Sequence, residues 1–556
     1  MARVAAVVAA LVFFGAETVP AMADPHTAAQ DVARTAWDSD EPALTDPAVA
    51  SGSFGQLFSA PVDGQVYAQP LVVDDTVIAV TETNDVYGID GETGAVRWHR
   101  DVGPWWDPAT LQCADLTPSI GITSTPVYDP ATDSVYLTAK TNDGPDARSP
   151  NWYVHALEAT TGAERRGWPI RISGTPSNDP DHPFNSLTAA QRPGLLLLDG
   201  VVYAGFASYC DRGPYVGYVV GVSTSGRQTA MWSTESGSSS GEAGIWQSGA
   251  GLVSDGPGQI LFATGNGISP PPGPGKRPPA TLGESIVRLQ VGADGDLTAT
   301  DFFSPANNAE LDPGDVDLGS GGPMAIPDGY GTFAHPHLLV HVGKDGRVFV
   351  LDRDDLGGMG QGPGGTDALL AQAGPYEGVW GRSAFLGTNS SGYFYNVGAG
   401  GHLRAFRIDP TGGGGIDVPT VGASAETFPY ASGSPVVTSN GEDASTALVW
   451  VVRSNGGADG TGAELHAYRA QPDAEGVLQQ VFSAPIGTAV KFTSVATSNG
   501  RVYVGTRDGH VLGFGAPTNA ALAAASTTTA GTMPARLPER RVVQVSGRPS
   551  PPLRGV

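Results

Sequence analysis

The chain has 556 residues, 56 acidic against 31 basic, for a net charge of −25. A surface this acidic repels nucleic acid and anionic membrane, which excludes a reader of polyanions. Seventy-seven glycines and 45 prolines, with few charged helical stretches, predict many short strands joined by turns and an all-β class.

At the N-terminus, Arg3, an apolar run from Val4 to Gly15 and the small-x-small site Ala21-Met22-Ala23 predict a secretory signal over residues 1–23. That run falls short of the ~20 residues a spanning helix needs, and no later segment is long and apolar enough to cross a bilayer. The expectation is an exported, monomeric protein with no membrane span. Residues 24–53 read as an acidic linker. "FGQLFSAPV", residues 54–62, follows as a lone strand.

From residue 86 a short pattern repeats: aliphatic, any, small, hydrophobic. It appears as "VYGID", "VHALE", "VVGVS", "IVRLQ", "VFVLD", "LRAFR", "LHAYR" and "VLGFG", starting at Val86, Val154, Val219, Ile286, Val348, Leu403, Leu465 and Val511. Each is preceded by a second β run such as "VIAVTET" or "VYVGTRD", and most by a third with a Ser, Thr or Gly entrance, such as "TSTPVY" or "SGSPVV". With an outer strand after the turn, each unit has four antiparallel strands, and ring closure protects their sheet edges. The predicted fold is therefore an eight-bladed β-propeller over residues 54–517. Its last unit, residues 492–515, lacks an outer strand, which the N-terminal strand is expected to supply. Residues 518–556 are a Thr/Ala/Pro/Arg-rich tail with five arginines and one glutamate, too poor in apolar residues to pack, and are expected to be disordered.

"YGIDGETGAVRW" resembles the tryptophan-docking repeat of the quinoprotein-like (PQQ-like) propellers, A-x-D-x-x-T-G-x-x-x-W, at Asp90, Thr93, Gly94 and Trp98, with Gly88 in the alanine place. "HALEATTGAERRGW", ending at Trp168, is a second copy with two extra residues, and "GVSTSGRQTAMW", ending at Trp232, a degenerate third. The resemblance covers roughly residues 54 to 515. It implies that the tryptophan packs between blades, a structural role that argues fold and not catalysis.

The blades carry long insertions, among them "GPWWDPATLQCADLTPSIG", "SGTPSNDPDHPFNSLTAAQ" and "SPANNAELDPGDVDLGSGG". All fall on one predicted face, where binding function usually sits on a rigid scaffold; loop drift is the competing reading. Cys113 and Cys210 belong to that face on neighbouring blades, so a disulfide is expected, with two separate buried thiols as the alternative. Gln69, Arg192, Gln247, Arg382 and Lys491 stand at or near the entrances of innermost strands, with Tyr67, Trp246 and Trp380 nearby. Cations beside aromatics would suit a ligand with carboxylate or carbonyl groups, although polar residues lining a wet channel or pairing with carboxylates explain the pattern as well. Asp315 and Asp317, in "ELDPGDVDLGSGG", could offer calcium ligands or simply cap the turn. In "HPHLLVH", His335, His337 and His341 have the parity to gather a transition metal, but Pro336 favours structural roles.

The resemblance implies pyrroloquinoline quinone and calcium as possible cofactors. Quinoprotein alcohol dehydrogenases of this fold stack the quinone between a tryptophan and a disulfide of adjacent cysteines. Cys113 and Cys210 are not adjacent, and no C-x-x-C-H, H-E-x-x-H, G-x-S-x-G or G-x-x-x-x-G-K-[ST] motif is present. The first expectation is a binding or scaffold module that meets a small molecule or protein at the insertion-rich face and funnel. The alternative is a quinone- or metal-dependent oxidoreductase of sugars or alcohols. A carbohydrate-cleaving propeller is third, with no carboxylate pair to single out.

Overall fold

The computed structural model describes residues 26–237, 241–271 and 276–517; the expected signal segment and tail lie outside them. Eight sheets are arranged as eight blades. Blade 1 shows the plan: Leu71–Val73 innermost, then Thr76–Val80, Asp85–Asp90 and Val96–Asp101, each antiparallel to the last. All eight repeat segments are third strands, for example Ile286–Val291 in blade 4 and His510–Gly515 in blade 8. Blade 4 departs most from the plan. Its innermost pairing is a single bridge, Val253 to Leu261, and its outer edge is extended in parallel by Gly358–Met359.

The N-terminal strand completes the last blade: Gly55–Pro61 pairs antiparallel with His510–Gly515. Side chains show why the ring accepts it. In blade 1 the Trp98 ring lies between Gly88 of its own blade and Gly162 of the next, where an added Cβ would come within 2.3 and 2.4 Å of the ring. Its Nε1 donates to Ala159 O at 3.1 Å. Phe58, on the strand that closes blade 8, stands the same way between Gly513 and Gly94, with corresponding approaches of 2.3 and 2.5 Å. Gly88 and Gly513 occupy the same place in "VYGID" and "VLGFG", and Gly162 and Gly94 the same place in their turns. Trp98 and Phe58 are therefore equivalent inter-blade wedges. Trp168 reaches the turn of blade 3 at Gly226, and Trp232, 4% exposed, meets Phe262 of blade 4 at 6.1 Å.

Residues 26–53 are not a linker. Ala29 N bonds the Gln69 side chain in blade 1 (3.0 Å), His26 O accepts from Tyr128 N in blade 2 (2.8 Å), and Thr27 Oγ1 donates to Leu195 O in blade 3 (3.3 Å). The O atoms of Val32, Ala33, Thr35 and Ala36 then accept from Ser254, Ala325, Phe385 and Val437, in blades 4 to 7. Gln30 and Asp38 both bond Thr497 in blade 8. A segment that bonds the inner edge of every blade can lie only on the ring axis. Arg34, with no exposed surface, anchors it by donating to Leu195 O, Leu252 O and Ala28 O at 2.7–2.8 Å. Ala29, Gln30, Arg34 and Ala36 all have positive φ, a backbone path held in place by its surroundings. The linker reading fails because the segment's backbone groups, which composition does not report, find partners all around the ring.

Candidate functional site

The loops that lead into the innermost strands bring several predicted residues together at one mouth of the ring. The Arg192 guanidinium lies 5.4 Å from the centre of the Tyr67 ring and donates to Lys491 O at 2.9 Å. Lys491 Nζ pairs with Asp115 at 2.5 Å and lies 6.0 Å from the Tyr430 ring. Trp380, Tyr430 and Phe492 form an aromatic cluster: Trp380 meets Tyr430 edge-on at 5.3 Å and stacks toward Phe492 at 6.4 Å, with Tyr430 and Phe492 5.6 Å apart. Tyr430 is 36% exposed. The space beneath the cluster, lined by Trp380, Ala399, Pro429, Ala431 and Phe492 among others, is only about 10 Å³, so the cluster is a surface and not a pocket.

Beneath Tyr67, Glu82 is fully buried and accepts from Gly121 N at 2.9 Å and Thr123 Oγ1 at 3.1 Å. Burial pushes its carboxyl up to about 7. The same burial, with Glu82 nearby, raises the Tyr67 phenol, so the phenol stays protonated at neutral pH and Glu82 is far more protonated there than an ordinary carboxylate.

The other predicted residues are placed differently. Gln69 and Arg382 sit deeper, both buried, and the Gln69 Oε1 is shared between Ala29 N and Arg382 Nη2 (3.2 Å), so they face the axial segment and not an open funnel. Burial and the neighbouring Arg34 lower Arg382 to about 9. Gln247 is tied to its own blade, donating to Gly251 O at 2.8 Å and accepting from Ala263 N at 2.8 Å. Its role is to brace the entrance of blade 4 where a regular innermost strand is lacking. Trp246 lies 5.6 Å from Lys344 Nζ. Cys113 and Cys210 form a disulfide with Cα atoms 5.8 Å apart, which joins the loop between blades 1 and 2 to blade 3. Asp115, Tyr430 and Phe492 were not singled out from sequence; adjacency to Lys491 is the one signal that could have pointed to Phe492.

Asp315 and Asp317 do converge, but on Lys344, whose Nζ lies 2.7 and 2.6 Å from them. The two carboxylates raise the ammonium above its ordinary value against the opposing effect of burial. Among the described residues no group of three or more His, Cys, Asp or Glu is arranged to hold a metal. The three histidines of "HPHLLVH" separate: His335 bonds Asp352, His337 bonds Asp354, and His341 is buried against Leu318 O. The residues present do not fit a quinone–calcium centre. The cysteines that would stack a quinone are 97 residues apart, a lysine stands where a cation would, and the axis below the mouth is filled.

The family model described as outer membrane protein assembly factor BamB matches residues 23–241. No curated protein matches the chain in sequence. Among solved structures, the fold is similar to the quinohemoprotein alcohol dehydrogenase of Comamonas testosteroni, with a TM-score of 0.57 and 17% identity over 95% of this chain and 83% of that one. A quinohemoprotein alcohol dehydrogenase of Pseudomonas putida HK5 has a TM-score of 0.57 at 13% identity, over 93% of this chain and 82% of its own. A europium-containing methanol dehydrogenase also reaches 0.57, at 14% identity, over 89% of this chain and 98% of its own. Identities this low carry the fold and nothing of the chemistry. The eight blades and the wedge residues set between paired glycines are consistent with the resemblance to the quinoprotein-like (PQQ-like) propellers; the matching family model spans residues 23–241 of the chain, and the solved structures share its eight-bladed fold.

Proposed function

We propose that this chain is an exported binding or scaffold propeller that engages a partner at the mouth on its insertion-bearing face. One observation carries the reading: the mouth offers recognition chemistry without a cofactor cradle. Lys491 and Lys344 are already neutralised by carboxylates, and Arg192 is bound to a backbone carbonyl. Beside them Tyr430, 36% exposed, and half-buried Trp380 present an aromatic surface next to Phe492. Such a surface suits an apolar or ring-bearing group of a small molecule or of a protein loop. Export belongs to this reading because a disulfide such as Cys113–Cys210 persists in oxidising compartments. No helix among the described residues is long and apolar enough to cross a membrane.

The test is a titration of the full protein with pyrroloquinoline quinone and calcium, followed by tryptophan fluorescence and by dye-linked oxidation of alcohols and sugars. The expected result is no stoichiometric binding and no turnover. Stoichiometric quinone binding with substrate-dependent dye reduction would overturn the reading in favour of an oxidoreductase.

A further inference from the structure

A cleft of about 610 Å³, whose lining shares no residue with the mouth, lies where the insertion loops of blades 2 and 3 face each other. That volume is in the range of small-molecule sites. Its lining includes Arg148, Arg171, Asp181, His182, Phe184 and Tyr218.

Three observations indicate its chemistry. First, His182 is oriented: the Asp179 carboxylate, only 1% exposed, holds Nδ1 at 2.5 Å. An imidazole anchored through Nδ1 leaves Nε2 free to hydrogen-bond a hydroxyl, which can either donate or accept. Second, neither Arg148 nor Arg171 has an ion-pair partner among the described residues, in a chain where acidic residues outnumber basic ones 56 to 31. The Arg148 guanidinium reaches Thr110 O, at 3.5 Å, and its main-chain N donates to Asp146 Oδ1 at 2.9 Å. Third, Phe184 and Tyr218 meet edge-on at 5.3 Å and give one wall an apolar face.

The walls are also held in place. The Tyr218 hydroxyl donates to Pro183 O at 3.3 Å, Phe184 N to Gly174 O at 2.9 Å, and Arg212 to Gln112 O at 3.2 Å, next to the disulfide. Preorganisation of this kind lowers the entropy cost of capturing a small ligand.

We propose that this cleft binds an acidic sugar, independently of the reading given for the mouth. Its carboxylate is held by Arg148 and Arg171, its hydroxyls by His182 Nε2 and Asp181, and a ring face lies on the Phe184–Tyr218 wall. A bare anion uses only the guanidiniums and leaves His182, Asp181 and the aromatic wall without partners. A neutral sugar leaves both guanidiniums unused, and charge-assisted hydrogen bonds are the strong ones.

The experiment uses the full protein with three probes: D-glucuronate, D-glucose, which lacks only the carboxylate, and acetate, which lacks the ring. Binding is followed by calorimetry and by ligand-observed NMR. Saturable binding of glucuronate, with glucose and acetate at least about tenfold weaker, is expected. The double variant Arg148→Ala/Arg171→Ala, which alters two exposed side chains, should weaken glucuronate by about tenfold or more with circular dichroism unchanged, while Trp380→Ala should leave it unaffected. Absent or non-saturable glucuronate binding, equal binding of glucose, or an arginine double variant that binds as wild type would each overturn the assignment.

Discussion

Glu284 holds a carboxyl that reaches no solvent. One oxygen accepts from Leu318 N at 2.6 Å, the other has no hydrogen-bond partner, and burial, reinforced by Asp317 and Asp312, pushes the group up to about 9. Buried Glu235 and Glu82 are pushed the same way, to about 8 and about 7. A carboxyl whose folded value exceeds its unfolded value binds its proton more tightly in the native state. Stability is therefore intact below the unfolded value of 4.5 and falls as pH rises toward the folded one. Each such group contributes a slope of about 1.4 kcal/mol per pH unit inside its window. Above pH 8 the remaining slope from these three belongs to Glu284, so Glu284→Gln should flatten the urea midpoint between pH 8 and 9 and be more stable than wild type there. An unchanged slope in the variant would mean that this carboxyl is not neutral in the fold. Asp315 and Asp317 permit a second measurement. Since Lys344 already neutralises them, millimolar calcium should leave Tm where a chelator leaves it; a rise of several degrees would show that the ion displaces the lysine.

Two pieces of the chain's beginning hold the ring, and they differ in how far the sequence announced them. The closing strand Gly55–Pro61 was legible because an unpaired last blade and an unpaired first strand need each other. Phe58 is its anchor, 8% exposed and wedged where Trp98 sits one blade on. Phe58→Ala should cost about 3–5 kcal/mol by emptying that wedge, read as a fall in the denaturant midpoint. The axial segment was illegible for a physical reason. Most of its bonds run through main-chain atoms, which carry no periodic side-chain signal, and Arg34 in a sequence looks like any surface charge. Arg34→Ala takes the side-chain donor from the buried carbonyls of Leu252 and Ala28, each at a cost of about 1–3 kcal/mol, and leaves Leu195 O only the Thr27 hydroxyl. A Tm within a degree of wild type would show that water replaces the guanidinium and that the axis is wet.

At the scale of the whole ring, the same division between pattern and partner explains what was legible at the mouth. Strand periodicity placed Arg192, Trp380 and Lys491 at inner-strand entrances, and the ring brings them to one mouth. Periodicity is silent on what a polar side chain meets when it arrives: the axial segment for Gln69 and Arg382, its own blade for Gln247, a lysine for Asp315 and Asp317. The disulfide was legible because two cysteines on adjacent loops of an expected exported protein have few alternatives. Its energetic effect belongs to the whole chain, since it links residues 97 apart in sequence, across blade 2. A closed loop of that length removes about 4–5 kcal/mol worth of freedom from the unfolded chain in the entropic account. The blades share a continuous inner surface with the axial segment, so that loss should be felt by the ring as one cooperative unit. The double variant Cys113→Ser/Cys210→Ser should therefore unfold in a single transition at a lower urea midpoint, with m changed only through a more expanded unfolded state and with native circular dichroism intact. Two separate transitions, one of them insensitive to the substitution, would mean that blades 1 to 3 unfold apart from the rest and that the axial segment does not couple the ring.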